Sequence, residues 1–223
     1  MNAIAIYDMD KTITRAPTWT PFLLHAAWRL APWRLALLPI AGGAALAYAA
    51  GAIDRAGLKQ LTQRLLIGEA ADAGVLGRVA DDFARKIVAR GVFADARERI
   101  DRDRTEGRRL VMATASFSFY AGAIAAALGF DDVIATRSER DGAGRVRARI
   151  AGENCYGAAK LRMIEAWFDA MGLDRRAATI RFYSDHVSDA PTFAWADEAV
   201  AVNPHAPLRA MATARGWQQV DWA

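Results

Sequence analysis

The sequence is poor in the residues that build disulfide scaffolds and histidine or cysteine metal centres. It has one cysteine, Cys155, and three histidines in 223 residues. A lone thiol excludes an internal disulfide and suits a reducing compartment, so the cytoplasm is the expected location. His25, His186 and His205 have no mutual spacing for a metal, and they read as surface or satisfied residues, with His186 alone placed to face a site. No zinc spacing, nucleic-acid motif or internal repeat occurs. An apolar run begins almost at the first residue, which leaves no room for a secretory leader ahead of it. Lysine is scarce too, four against twenty-five arginines, and the net charge is only +4. The basic residues are scattered among acids, which argues against a patch for an anionic polymer. The run "RERIDRDRTEGRR", residues 97–109, mixes both signs at helical spacing and reads as a solvated helix face.

What is present is apolar mass: 53% of the residues are hydrophobic, enough for one good core and a smaller second one. In "IAIYDMDKTIT", residues 4–14, Ile4 to Tyr7 read as a short strand buried on both faces, as in parallel sheets covered by helices. Asp8 and Asp10 stand at its carboxyl end, the edge where open α/β sheets bind ligands. Two carboxylates there require a cation or a lysine in compensation. Residues 17–92 then turn alanine- and leucine-rich with helical periodicity and almost no strand signal. Within them, Leu35 to Ile53 is free of charge for nineteen residues, close to the roughly twenty that cross a bilayer. Pro39 and the Gly42–Gly43 pair interrupt it, so buried helices lead, an interfacial helix pair comes second and a membrane span last. Trp19, Trp28 and Trp33 beside Arg29 and Arg34 favour the interfacial pair over what a plain core requires.

From about Ala94 onward, helices alternate with short apolar strands, the pattern of a parallel sheet with crossover helices. A helix over 95–106 ends at Gly107, and "RRLVMATAS" follows as a strand running into Thr114 and Ser116. Then come a helix stopped by Gly129, the strand "DVIAT", a hairpin turning at Asp141–Gly142 and a helix from about Gly157 to Met171. The strand "ATIRFYS", Asp185, a short helix, the strand "EAVAVNP" and a tail complete the chain. Right-handed crossovers bring the carboxyl ends of parallel strands to one edge. Collected there are Asp8, Asp10, Thr114, Asp185 and Asp189, with Lys160 opening the helix that precedes the fourth strand.

The segments "YDMDKTIT", "LVMATAS", "YGAAKLRMI" and "YSDHVSDAP" follow, in order, the pattern D-x-D-x-T, a strand ending in Ser or Thr, a lone Lys, and D-x-x-x-D. Singly each is weak; their order and their fit to strand and helix ends are what carry weight. In this the sequence resembles the phosphatase branch of the haloacid dehalogenase superfamily over residues 1–14 and about 95–205. The resemblance implies a Rossmann-like α/β core of residues 1–14 and 95–223, with an inserted all-helical cap at 15–94. Phosphoserine phosphatases place a helical cap at that position.

Chemistry accounts for each residue type. Asp8 suits the role of nucleophile, giving an aspartyl-phosphate that splits hydrolysis into two easier displacements. Asp10 suits the acid that protonates the leaving alkoxide and later deprotonates water. By resemblance, Asp8, the backbone carbonyl of Asp10 and Asp185 would hold one Mg²⁺, with Asp189 reaching it through water or orienting Lys160. A helix cap is the plainer role for Asp189. Thr114 would bind a phosphate oxygen with help from the Ala115 amide, Lys160 would bridge Asp8 and the phosphate, and Thr12 would stabilise the turn beside the substrate.

Three positions depart from the family pattern. Lys11 adds a cation at the rim where a small residue is common, and Ser184 replaces a glycine before the metal aspartate. Pro17 stands where phosphoserine phosphatases carry a glutamate for the substrate ammonium, which disfavours phosphoserine by about 2–5 kcal/mol if that pair is buried. The expected activity is hydrolysis of a small phosphorylated metabolite. Alternatives are a membrane-associated phosphatase of lipid phosphates such as phosphatidylglycerophosphate, seated through residues 17–53, and a non-catalytic binding module, which would require a lost motif residue.

Overall fold

A computed structural model describes residues 2–223; Met1, the first residue of the expected core segment, lies outside it. The strands in chain order are β1 (Asn2–Tyr7), β2 (Ala70–Ala71), β3 (Arg109–Phe117), β4 (Asp132–Arg140), β5 (Val146–Ala151), β6 (Ala178–Ser184), β7 (Glu198–Val202) and β8 (Gln218–Val220). They form one sheet in the order β2-β5-β4-β3-β1-β6-β7-β8. The six strands from β4 to β8 in that order are parallel, and β5 and β2 extend one edge antiparallel. The crossing between β3 and β6 through the central β1 creates the switch in strand order at which open α/β sheets bind ligands.

The apolar alternation in β1 divides its side chains between two covered faces. Ile4 and Ile6 join Val111, Ile180 and Phe182 beneath the helices α7 (Ala158–Ala170), α8 (Ala190–Trp195) and α9 (Ala206–Arg215). Ala5 and Tyr7 join Leu110 and Met112 on the other face, covered by α5 (Ala94–Thr105) and α6 (Ser118–Ala127). This second cluster continues without a break into the helices inserted between β1 and α5. They are α1 (Trp19–Leu30), α2 (Leu38–Ala49), α3 (Arg55–Leu66) and α4 (Ala73–Arg90). Phe22 of α1 stacks on Tyr120 of α6 with ring centroids 4.5 Å apart, and Phe83 of α4 meets Phe22 edge-on at 5.3 Å. The insertion therefore shares the core of the sheet and has no separate apolar centre.

Four expectations are corrected. The charge-free stretch is not made of buried helices: a 3-10 turn at Pro32–Leu37 has no buried residue and α2 buries only Ala41 and Ala44, and no helix among the described residues is long and apolar enough to cross a membrane. Pro39 in the first turn of α2, where its missing N–H costs nothing, explains why the α-helix starts there. The strand at "DVIAT" runs on as β4 straight into the hairpin, whose turn occupies 141–145. The C-terminal tail folds as α9 and β8, because a left-handed Gly216 (φ +67°) ends the helix and returns the chain beside β7. The charged run at 97–109 is not solvated on all of its positions: Asp103 has no exposed surface, being enclosed by groups reaching over from the sheet.

Candidate active site

Sheet register puts the site together. Tyr7 pairs with Met112 on β3 and with Tyr183 on β6, so Asp8 leaves the sheet level with Ala113 and Ser184, which stay paired to β4 and β7. The Asp8 amide still donates to the Tyr183 carbonyl (2.9 Å), which pins the nucleophile candidate at the strand end. After it the chain turns back through Lys11, held at φ +63°, a left-handed conformation costly for a residue with a Cβ. The ladder between β3 and β4 breaks between Thr114 and Phe117, turning the backbone of Thr114 and Ala115 toward the same edge. Opposite, Gly157 at φ +59° opens α7 and sets Lys160 in its first turn.

These elements enclose a cavity of about 260 Å³ whose walls include Asp8, Asp10, Thr114, Ala115, Lys160, Asp185 and Asp189. Lys160 is 2% exposed and donates to Asp8 Oδ1 (2.9 Å) and Asp189 Oδ2 (2.6 Å). Burial disfavours its ammonium, but the two carboxylates outweigh that and hold its pKa above the ordinary lysine value. Burial pushes the Asp8 carboxyl up, with the charges of Asp189 and Asp185 adding to the rise and Lys160 opposing it. Burial likewise pushes Asp185 up to about 6. Three carboxylates thus face one lysine in a site sheltered from water.

Asp10 is arranged differently. Its Oδ1 accepts from the amide (2.8 Å) and hydroxyl (2.7 Å) of Thr18, and its Oδ2 accepts from Ser116 Oγ (2.9 Å). The carboxyl is locked in place and its pKa is raised, burial outweighing those hydrogen bonds. Its side chain is thereby occupied away from Asp185, and only its backbone carbonyl is left for a metal. Asp189 Oδ2 also accepts from Ser184 Oγ (2.7 Å), and no side-chain cap bond to α8 forms. Thr114 Oγ1 accepts from the Ser116 amide (3.1 Å), which leaves its proton free for a phosphate oxygen. Thr12, expected beside the substrate, is fully buried and absent from the cavity wall; its hydroxyl lies 3.5 Å from Asp185 Oδ1, behind the carboxylate.

The donor set suits a hard divalent cation. Asp8 and Asp185 offer carboxylate oxygens, and Mg²⁺ is commonly held by one or two carboxylates with waters and phosphate completing its shell. Among the described residues no group of three or more His, Cys, Asp or Glu side chains is placed to hold a metal, so Asp8 and Asp185 would have to hold one with backbone and solvent oxygens. The buried Asp189 Oδ1 has no hydrogen-bond partner in the chain, an acceptor that a metal-bound water would satisfy.

Several residues at the site escape sequence reasoning. His205 Nδ1 lies 3.0 Å from the Asp185 carbonyl and its ring stacks on His186 at 4.5 Å. From the insertion, Arg55 reaches the cavity with its guanidinium 4.2 Å over the Tyr156 ring. Lys59 of α3, also from the insertion, donates to the Ala115 carbonyl (2.5 Å) and to Asn154 Oδ1 (2.9 Å). Nothing in the spacing of Arg55 or Lys59 marks them; only the scarcity of lysine hints at the second.

A parallel α/β sheet thus gathers Asp8, Thr114, Lys160, Asp185 and Asp189 into one cavity at its carboxyl edge. The chain belongs to the haloacid dehalogenase-like hydrolase family, which residues 5–194 match. It is 30% identical over 152 residues to a probable phosphatase of Mycobacterium tuberculosis, covering 68% of this chain and 52% of that protein. It is 28% identical over 144 residues to a phosphoserine phosphatase of the same species, covering 65% and 46%. The chain thus spans about half the length of the curated relatives it matches. A crystal structure of a protein of unknown function from Bordetella pertussis superposes with a TM-score of 0.86 at 25% identity, covering 99% of both chains.

Proposed function

We propose that the chain is a Mg²⁺-dependent phosphomonoester hydrolase that works through an aspartyl-phosphate on Asp8, with residues 15–94 capping a core of 1–14 and 95–223. The observation that carries this reading is the seat of Asp8: its Oδ1 lies 2.9 Å from Lys160 Nζ in a cavity it shares with Asp10 and Asp185. The names of the mycobacterial relatives support the same reaction class. Asp8 attacks phosphorus while the bond to the ester oxygen breaks, and Asp10, held by Thr18 and Ser116, gives its proton to the departing alkoxide. A water then attacks phosphorus, Asp10 takes its proton, and inorganic phosphate leaves with the Asp8 carboxylate restored. Lys160 and Thr114 bind the phosphoryl oxygens throughout, and Asp189 holds Lys160 against Asp8. Mg²⁺ held by Asp8, Asp185 and the Asp10 carbonyl would supply the positive charge that lets an anionic nucleophile meet an anionic phosphate.

Phosphoserine itself fits poorly. Pro17 lines the cavity and offers no carboxylate to the ammonium, whereas Lys11 and Arg55 add positive charge there. The reading is tested with p-nitrophenyl phosphate in Mg²⁺ buffer. Wild type is expected to turn over and, quenched early, to carry the mass of one phosphoryl group; Asp8→Asn is expected to fold, yet to show neither. Turnover of the variant near the wild-type rate would remove Asp8 as nucleophile, and an inert wild type would favour a binding module.

A further inference from the structure

A second cavity, of about 250 Å³, adjoins the first and shares Asp10, Pro17, Arg55 and Ala115 with it. Its other walls are chiefly Trp19, Tyr48 and Leu58, with Lys59 and Ser116 completing them. Asp10, the acid that has to meet the ester oxygen, therefore stands where the two cavities join. Displacement at phosphorus is in line, so a phosphoryl group beside Asp8 directs its alcohol away from Asp8, past Asp10. We infer that the second cavity is the leaving-group subsite and selects phosphomonoesters whose alcohol is an uncharged alkyl or aryl group. The inference rests on the phosphatase reading.

The charges around the subsite are already engaged. Lys59 Nζ is committed to the Ala115 carbonyl and Asn154 and lies 4.3 Å from the Phe117 ring centroid. Arg55 is parked on Tyr156. The only acid on the walls is Asp10, whose oxygens already accept from Thr18 and Ser116. A substrate ammonium finds no free carboxylate there, and a substrate carboxylate has to draw Arg55 off its ring. Hydrocarbon, by contrast, meets prepared walls. Trp19 is fixed by its Nε1 donating to Thr62 Oγ1 (3.2 Å) and by its ring against Phe117 at 5.0 Å. Tyr48 carries the apolar surface outward onto α2, where Ile40 and Leu46 are exposed as well.

The test compares kcat/KM for ethyl, butyl and hexyl phosphate, with O-phosphoserine and p-nitrophenyl phosphate alongside. Wild type is expected to gain about threefold to fourfold per methylene, the ratio that burial of one such group gives, and to use O-phosphoserine less well than butyl phosphate. Leu58→Gln and Tyr48→Ala, shown by their melting curves to be folded, are expected to flatten that rise. A flat series in a wild type that hydrolyses p-nitrophenyl phosphate overturns the subsite and spares the phosphatase reading; no turnover of any ester overturns both. Variants that keep the full wild-type rise also overturn it. Dodecyl phosphate in phosphatidylcholine vesicles, set against hexyl phosphate in free solution, separates a bilayer from a soluble source of such esters; faster turnover of either than of O-phosphoserine supports the preference.

Discussion

Asp103 and Asp8 show how differently one residue type is used at two buried positions. Asp103 accepts from the hydroxyls of Tyr7 (2.5 Å) and Tyr183 (3.0 Å) and from Arg99 (2.5 Å) and Arg181 (2.6 Å). Burial first, and the carboxylate second or third, push both phenols well above the ordinary tyrosine range, so they stay neutral donors. This hub ties α5 to β1 and β6 from beneath. Asp103→Ala leaves the buried hydroxyls of Tyr7 and Tyr183 without their acceptor, while Arg99 keeps Glu106 and Arg181 keeps Glu106 and Glu198. The variant is expected to lower the unfolding free energy by about 2–4 kcal/mol in urea titration; a loss under about 1 kcal/mol would show that the hydroxyls find water instead. Asp8, in contrast, has Lys160 as its sole charged donor among the described residues, which leaves a carboxylate oxygen free for the attack proposed for it.

At the scale of elements, the inserted helices are parts of the core. Phe22 is fully buried between Tyr120 and Phe83, and its truncation to alanine is expected to cost about 3–5 kcal/mol. Circular dichroism and tryptophan fluorescence should report one coincident transition for that variant; two separated transitions would mean that the insertion folds alone. Lys59 joins α3 to the turn after β3, and burial lowers its pKa to about 7. A lysine depressed in the folded state contributes stability that is complete above its unfolded value, about 10.4, and is lost as pH falls toward the folded value. The melting temperature of wild type relative to Lys59→Met should therefore climb between about pH 7 and pH 10. A pH-independent difference would show that the amine is charged, or hydrated, throughout. The α1–α2 surface has a different character: Trp28 and Trp33 are each 65% exposed and Leu46 73%. Pro39 and the break before it deny this surface a bilayer-spanning length.

For the whole molecule, the site gathers Asp8, Asp10, Asp185 and Asp189 at the sheet edge, against the cations Lys11, Arg55 and Lys160. A ligand that binds only the folded chain stabilises it by mass action, about 2.7 kcal/mol at a hundred times its Kd. Mg²⁺ is thus expected to raise the melting temperature of wild type saturably, by roughly 2–4 °C for each kcal/mol at this chain length, with chelator reversing the shift. Asp185→Asn should lose most of that rise. An equal rise in the variant would place the cation elsewhere on the surface.

Much of this architecture could be read along the chain, because strand alternation and strand ends depend on near neighbours. The run Ile4 to Tyr7, the strand "ATIRFYS" and the helix over 157–171 fall where periodicity puts them. The order of the acidic motifs, together with right-handed crossovers, already placed Asp8, Asp185 and Lys160 at one edge. The weak points were short elements, such as β2 and β8 with two and three residues, too short to show a period, and β2 pairs with the distant β5. What the order of residues determined by itself is therefore the winding of the sheet and the kinds of group at its carboxyl edge. Only the tertiary structure decided which atoms those groups present. Ser116 holds Asp10 across 106 positions, Thr12 turns to Asp185 across 173, Tyr7 finds Asp103 across 96 and Lys59 reaches Ala115 across 56. Contacts of that range are set by sheet register and by how the faces pack, and no local period encodes them.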